Sequence, residues 1–366
     1  MAPARADPLE SGFADPPVSA RPLGWWHWIN GNVTKEGISA DLEAAKRAGM
    51  GGVQLFDVEI YLPPGPVRYG TDNWYDHVRF AMQKASDLGL EFHVMNTPGW
   101  SASGGPWVTP ERSMKRLVWT ETRATGGNEL DAVLPLPDLK PIYSGRGVPK
   151  ESFYRDVAVL AVPATTERID DLERKIAWAS KPVTRPAGED RPGITPAQVL
   201  NLSSQMDRDG RLRVVLPPGE WILLRFGYTT TGKTNHPAVP EGHGLEIDKL
   251  DATEVAFQFE QSLGRMLKDA GPLAGKSFKD VLIDSYEVLQ QNWTPLLAEK
   301  FRKLRRYDLL TYLPCITGRV VGDLDRSERF LWDFRRTLAD LYLSEYVATF
   351  QEFCHQNGLL DRKSVV

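Results

Sequence analysis

Asp284 and Glu287 stand three residues apart at the end of the apolar run Val281-Leu-Ile, with Asn292 and Trp293 soon after. Two carboxyls beside aromatic and amide groups are what cleavage of a glycosidic bond requires. One, held protonated, gives its proton to the leaving oxygen, while the other activates water or attacks the sugar. A strand that ends in a turn can present both to one cleft. A structural role competes: either carboxylate could cap the next helix or pair with Arg302 and Arg305. Their place at the carboxyl end of an apparent strand favours chemistry, because parallel α/β folds build their sites there.

Three further clusters have similar composition. Trp25-Trp26-His27-Trp28 runs into Asn30 and Asn32. A two-residue period sets Trp26, Trp28 and Asn30 on one face and Trp25, His27 and Ile29 on the other, without saying which face meets a ligand. Trp25 and Trp28 are expected in the core, and Trp26, His27 and Asn30 are candidates for substrate contact. Residues 96–107 form a loop of small residues carrying Asn96 and Trp100. It suits stacking on a sugar, although packing alone could also account for it. In 244–249, Glu246 and Asp248 alternate along an extended segment and so share a face. Helix capping by Asp251 explains part of this charge, but not Glu246.

The candidate substrate set is therefore Trp26, His27, Asn30, Asp57, Asn96, Trp100, Asp248, Asp284, Asn292 and Trp293. Within the wider cluster, the oxygens and nitrogen of His27, Asn30, Asp57, Asn96, Asp248 and Glu287 could in principle surround Ca²⁺. No EF-hand spacing is present, so spacing alone gives the metal little weight. Zinc chemistry lacks a His-x-x-x-His pair and a Cys cluster, and serine hydrolysis lacks a Gly-x-Ser-x-Gly elbow. Gly227 to Thr234 satisfies the P-loop pattern, but two prolines and two glycines follow at once, so no helix can start there to hold phosphate. That segment reads as a loop.

The elements that must position these groups repeat as strand, polar turn, helix, glycine, strand. Ile38, Leu42, Ala45 and Ala48 share a helical face behind Thr34 as N-cap, and Gly49 ends the helix. Strands are expected at 52–57 and 91–96, with a helix over 72–88 between them. Short, Pro-punctuated alternating runs between 117 and 231 predict strands without helices. A helix over 253–270, a fourth parallel strand over 281–287, and helices over 295–305 and 327–356 follow. The expected division is an extended arm (1–23), a first α/β part (24–116), an inserted β-rich part (117–244) and a second α/β part (245–366). The net charge of −4, from 44 basic and 48 acidic residues, disfavours a nucleic-acid partner. No apolar run approaches the length of a membrane span. Cys315 and Cys354 are expected as buried thiols rather than a disulfide framework.

Several of these motifs together resemble glycoside hydrolase family 106, the α-L-rhamnosidase family. They are Trp-Trp-His-Trp-Ile-Asn-Gly-Asn-Val-Thr from Trp25, residues 96–108 and 226–249, Ile283-Asp-Ser-Tyr-Glu-Val, Asn292-Trp-Thr-Pro and 330–340. The resemblance runs from about residue 13 to 359. It implies a (β/α)₈ barrel interrupted by a β domain, and calcium-dependent, inverting removal of terminal α-L-rhamnose from a carbohydrate. It also places the general acid at Glu287. Asn30, Glu246 and Glu287 are candidate metal ligands, and no single ligand set is implied. Four parallel strands are expected where a barrel needs eight, and the second catalytic carboxylate is expected beyond residue 366. A truncated, non-catalytic fragment with at most sugar binding is thus the alternative, and a nucleotide binder a distant third. The N-terminus has no apolar leader segment. A periplasmic or secreted location is expected if a leader has been removed, and a cytoplasmic one otherwise.

Overall fold

The computed structural model describes residues 8–140, 142, 153–176, 193–284, 286 and 291–363. After helix α1 (Pro8–Ala14) the chain runs through β1 (Leu23–Ile29), α2 (Lys35–Arg47), β2 (Gly52–Val58), α3 (Asp72–Leu88) and β3 (Glu91–Met95). Next come β4 (Lys115–Thr125), β5 (Glu129–Val133), β6 (Arg155–Pro163), the short α4 (Leu172–Ile176), β7 (Leu200–Asn201), β8 (Arg211–Val215) and β9 (Glu220–Thr230). Then follow α5 (Ala252–Ala270), β10 (Phe278–Ile283), α6 (Leu297–Arg305), α7 (Leu309–Tyr312) and α8 (Leu324–Leu341). A π-helical stretch (Tyr342–Val347) joins α8 to α9 (Ala348–Gln356), and β11 (Leu360–Lys363) comes last.

Caps account for the helix limits. Thr34 accepts from the Gly37 amide at 3.1 Å and Thr71 from that of Trp74 at 3.3 Å, while Asp251 begins α5 in the same way. Gly89 ends α3 at φ 65°, a conformation that glycine adopts without steric cost. The arm, expected to be extended, instead contains α1, whose first turn holds a proline and Glu10, both favourable at a helix start.

The first sheet is mixed with helices and wholly parallel, in the order β1-β2-β3-β10-β11. It corrects the expected strand count: there are five parallel strands among the described residues rather than four, and β1 and β11 are its edges, so the sheet is open there, as an incomplete set of strands implies. β11 escapes a sequence reading because Leu360-Asp-Arg-Lys has no apolar run; it is a strand because β10 offers it a row of main-chain partners. β10 also begins earlier than expected, at Phe278, since the polar Lys279-Asp280 hides its start. Asp280 turns instead to His93, 2.6 Å away in the middle of the sheet.

Antiparallel strands β4-β9-β6-β7 make a second sheet, and β5-β8 a hairpin-like pair beside it. Residues 231–251 hold no α-helix, only a single tight turn at Pro240–Gly242, so the P-loop pattern is a coincidence of composition. One face of the parallel sheet (Trp28, Leu55, Phe92, Val94, Val281) packs under α2, α3, α5 and α9 in the main core. The other face carries Phe56, Val58, Met95 and Leu282. Cys315 and Cys354 are buried in different core clusters. No helix among the described residues is long and apolar enough to cross a membrane.

Candidate active site

Parallel strands bring Asn30, Asp57, Asn96 and Asp284 to the same end of the sheet. The loops beyond them are laced by main-chain bonds: Gly99 N to Asp57 O (2.8 Å), Glu59 N to Pro237 O (2.9 Å) and Trp100 N to His236 O (3.0 Å). Gly99 has φ 91°, and a Cβ there would lie 2.8 Å from the His236 carbonyl, so this crossing admits only glycine. The result is a fixed rim over the face of the sheet opposite the helices. On it His27 stacks on Phe56 (ring centroids 5.2 Å apart) and meets Trp100 edge-on at 6.1 Å. The Trp100 indole N–H donates to His27 Nε2 at 3.3 Å. Burial holds the His27 pKa below its ordinary value, so the ring is neutral at pH 7 with its hydrogen on Nδ1, ready to donate to a hydroxyl.

Several candidates point elsewhere. Trp26 lies on the helix side, donating to Asp41 at 2.9 Å and meeting Trp28 edge-on. Trp28 is core as expected, but Trp25 is 62% exposed and stacks on Phe56 on the far face. Two-residue alternation separates the faces without identifying the covered one. Asn30 uses its amide to hold the Leu62 carbonyl at 2.8 Å. Asn96 donates to Ala102 O (3.0 Å) and Leu282 O (3.2 Å), tying the Trp100 loop to β10. Asn292 accepts from Leu117 N at 2.7 Å, and Trp293 is buried in the second core cluster.

Asp57 also faces the helices, accepting from Trp74 Nε1 at 3.0 Å. Burial pushes its carboxyl up to about 7, against the pull of that bond. The folded chain therefore keeps a proton that the unfolded chain releases near pH 4. Stability from that proton is complete below pH 4 and is lost as pH rises to 7, by about 4 kcal/mol in all. Asp57→Asn retains an acceptor for Trp74 but cannot ionise. Its stability should match wild type at pH 4 and exceed it at pH 8. Parallel denaturation curves at both pH values would refute this.

Glu246 and Asp248 are both fully buried but belong to two adjoining networks. Glu246 Oε2 takes a bond from Lys249 Nζ (2.6 Å) and one from Ser103 Oγ. Asp248 is held by Lys115 Nζ (2.9 Å), Thr294 Oγ1 (2.9 Å), the Leu250 amide (3.0 Å) and Gln291. Tyr346, buried beneath Lys249, bonds the Ala102 carbonyl. Its neighbour Tyr342 meets Tyr286 edge-on at 5.1 Å. Ser103, Lys115, Lys249, Gln291 and Tyr346 are thus site-supporting residues that sequence reasoning missed. Only Lys249, three residues after Glu246, had a signal in its spacing. Arg302 and Arg305, named above as competing partners for the acidic pair, bind Asp308 and Asp340 among the described residues. Asp284 is buried at the end of β10, whereas Glu287 and Ser285 lie outside the described residues.

Of the three candidate calcium ligands, Asn30 already holds the Leu62 carbonyl and Glu246 the Lys249 ammonium, while Glu287 lies outside the described residues. Among the described residues no three His, Cys, Asp or Glu side chains converge as a metal would need. Glu246 Oε1 and Asn96 Oδ1 are buried without a hydrogen-bond partner among the described residues.

The family comparison puts this mixed α/β chain among the glycoside hydrolases. The α-L-rhamnosidase model of glycoside hydrolase family 106 matches residues 14–362, and the chain belongs to that family. It is similar to the structure of a rhamnosidase from Novosphingobium sp. PP1Y, at 30% identity and a TM-score of 0.86, over 98% of this chain and 47% of that one. It is also 42% identical, over 357 residues, to a protein of Formosa agariphila named "Putative beta-glucuronidase", covering 96% of this chain and 30% of that protein. The chain therefore spans less than half the length of either.

Proposed function

We propose that this chain forms part of an enzyme that removes terminal α-L-rhamnosyl residues from glycosides or polysaccharides. The observation that supports this most is the likeness of 98% of the chain to a rhamnosidase. In this reading Glu287 protonates the glycosidic oxygen as the C–O bond breaks, and a water attacks from the opposite side of the ring, inverting the anomeric carbon. The carboxylate that takes the water's proton is proposed to come from the part of the relatives that this chain does not span. His27 and Trp100 would position the sugar, one by hydrogen bonding and the other by stacking. Calcium dependence rests on the family resemblance alone, and no step here runs through the metal. Exhaustive chelation and readdition of Ca²⁺ would decide it.

A β-glucuronidase is the second reading, because of the name of the Formosa relative. A glucuronide brings a carboxylate and calls for an available cation. Arg68, Lys115 and Lys249, on the segments around the rim, each already face a carboxylate. That favours the neutral deoxy sugar. The test compares hydrolysis of aryl α-L-rhamnoside and aryl β-D-glucuronide, by residues 1–366 and by a version as long as the relatives. Release from the rhamnoside is expected. Preference for the glucuronide would overturn the substrate, and turnover only by the longer version would make this chain a non-catalytic fragment.

A further inference from the structure

Tyr61 stands in the loop between β2 and α3 with its side chain fully exposed and a φ of 51°. That left-handed conformation is rare for a bulky residue, and an aromatic ring without burial returns nothing to the fold. The loop is nevertheless held firmly. Asn30 and Asn32 donate side-chain N–H groups to the carbonyls of Leu62 (2.8 Å) and Pro63 (2.9 Å). Gly65 N and Val67 N reach Asn30 O and Gly31 O at 2.8 and 3.2 Å. A Cβ on Gly65 would lie 2.2 Å from the Gly31 carbonyl, so the two backbones touch. On its other side, the segment is tied through Glu59 and Asp57 to the loops of His236 and Trp100.

A strained, unburied aromatic on an over-constrained rim is the mark of a recognition residue. We propose that Tyr61 is the stacking platform for the sugar or aglycone to which the terminal rhamnosyl unit is attached. This rests on the rhamnosidase reading. His27 lies on Phe56 and meets Trp100 over the sheet, where a terminal sugar would enter. Tyr61 sits farther out along the loop that leaves β2, where the attached unit would cross the rim. Its ring gives an apolar face and its hydroxyl a polar end, which suits a wet subsite.

The test is calorimetric binding of free L-rhamnose and of a rhamnosyl disaccharide to the full chain. Tyr61→Ala should weaken the disaccharide about tenfold and leave free rhamnose unchanged, whereas Tyr61→Phe should stay close to wild type. Tyr61→Gly, which adopts the same φ without strain, should lose disaccharide affinity as Ala does, with a thermal midpoint no lower than wild type. Unchanged disaccharide binding in the Ala and Gly variants would overturn the proposal. So would equal weakening of both sugars, which would make Tyr61 a support of the rim. If wild type bound neither sugar, the rhamnoside reading would fall and this proposal with it.

Discussion

Glu287→Gln, made in an enzyme as long as the relatives, should cut turnover of a rhamnoside with a sugar or alkyl leaving group by about 10²- to 10⁴-fold. The substitution keeps the size and hydrogen-bonding reach of the side chain and removes only its proton. An oxygen that leaves as an alkoxide needs that proton, whereas a nitrophenolate is stable without it. Loss on an activated aryl rhamnoside should therefore be much smaller. The alkaline limb of the pH profile, set by the acid's deprotonation, should vanish with it. Paired kcat/KM measurements on the two substrates check this. Equal losses on both would make Glu287 a ligand or a structural group.

Lys249→Met should lower stability by about 3 to 5 kcal/mol, a large share of what holds a domain folded. Lys249 and Glu246 are both fully buried and joined at 2.6 Å. Burial pulls the lysine pKa down, and the carboxylate beside it works against that shift. With the ammonium gone, Glu246 keeps Ser103 as its partner and carries a charge in an apolar setting. Adding Glu246→Gln should recover much of the loss by removing that charge. Denaturant midpoints of the two single variants and the double variant check the prediction. Additive losses would show that the pair is not coupled.

What could be read in advance follows from how local each signal is. Helices α2, α3 and α5 announced themselves because Thr34, Gly89 and Asp251 act within one turn of the chain. β11 did not, since its strand character comes from β10, far away in sequence. Trp25 was misplaced for a related reason: alternation shows that it opposes Trp28, but solvent chooses the face. The polar residues at the strand ends were found, yet their partners were not. Asn30, Asn96 and Asn292 spend their amides on main-chain groups of other segments, which spacing does not identify. Asp248 likewise meets Lys115, Gln291 and Thr294, none of them near enough in sequence to be paired by spacing.

The position of β10 beside β3 also sets a clock. The chain leaves the parallel sheet at Met95 and returns at Phe278, and the antiparallel strands are made in between. Closing so long an excursion costs little extra entropy, because that cost grows only with the logarithm of length. Time is the larger consequence. A ribosome adding roughly 5 to 20 residues per second needs about 10 to 40 s to cover the interval. Throughout that wait β3 has β2 on one side and an open edge on the other, with Phe92 and Val94 to cover. The antiparallel strands pair within the excursion itself, where β4 waits for β9 over about half that interval. The nascent chain therefore holds a half-made parallel sheet, open along β3, while a second sheet forms beside it.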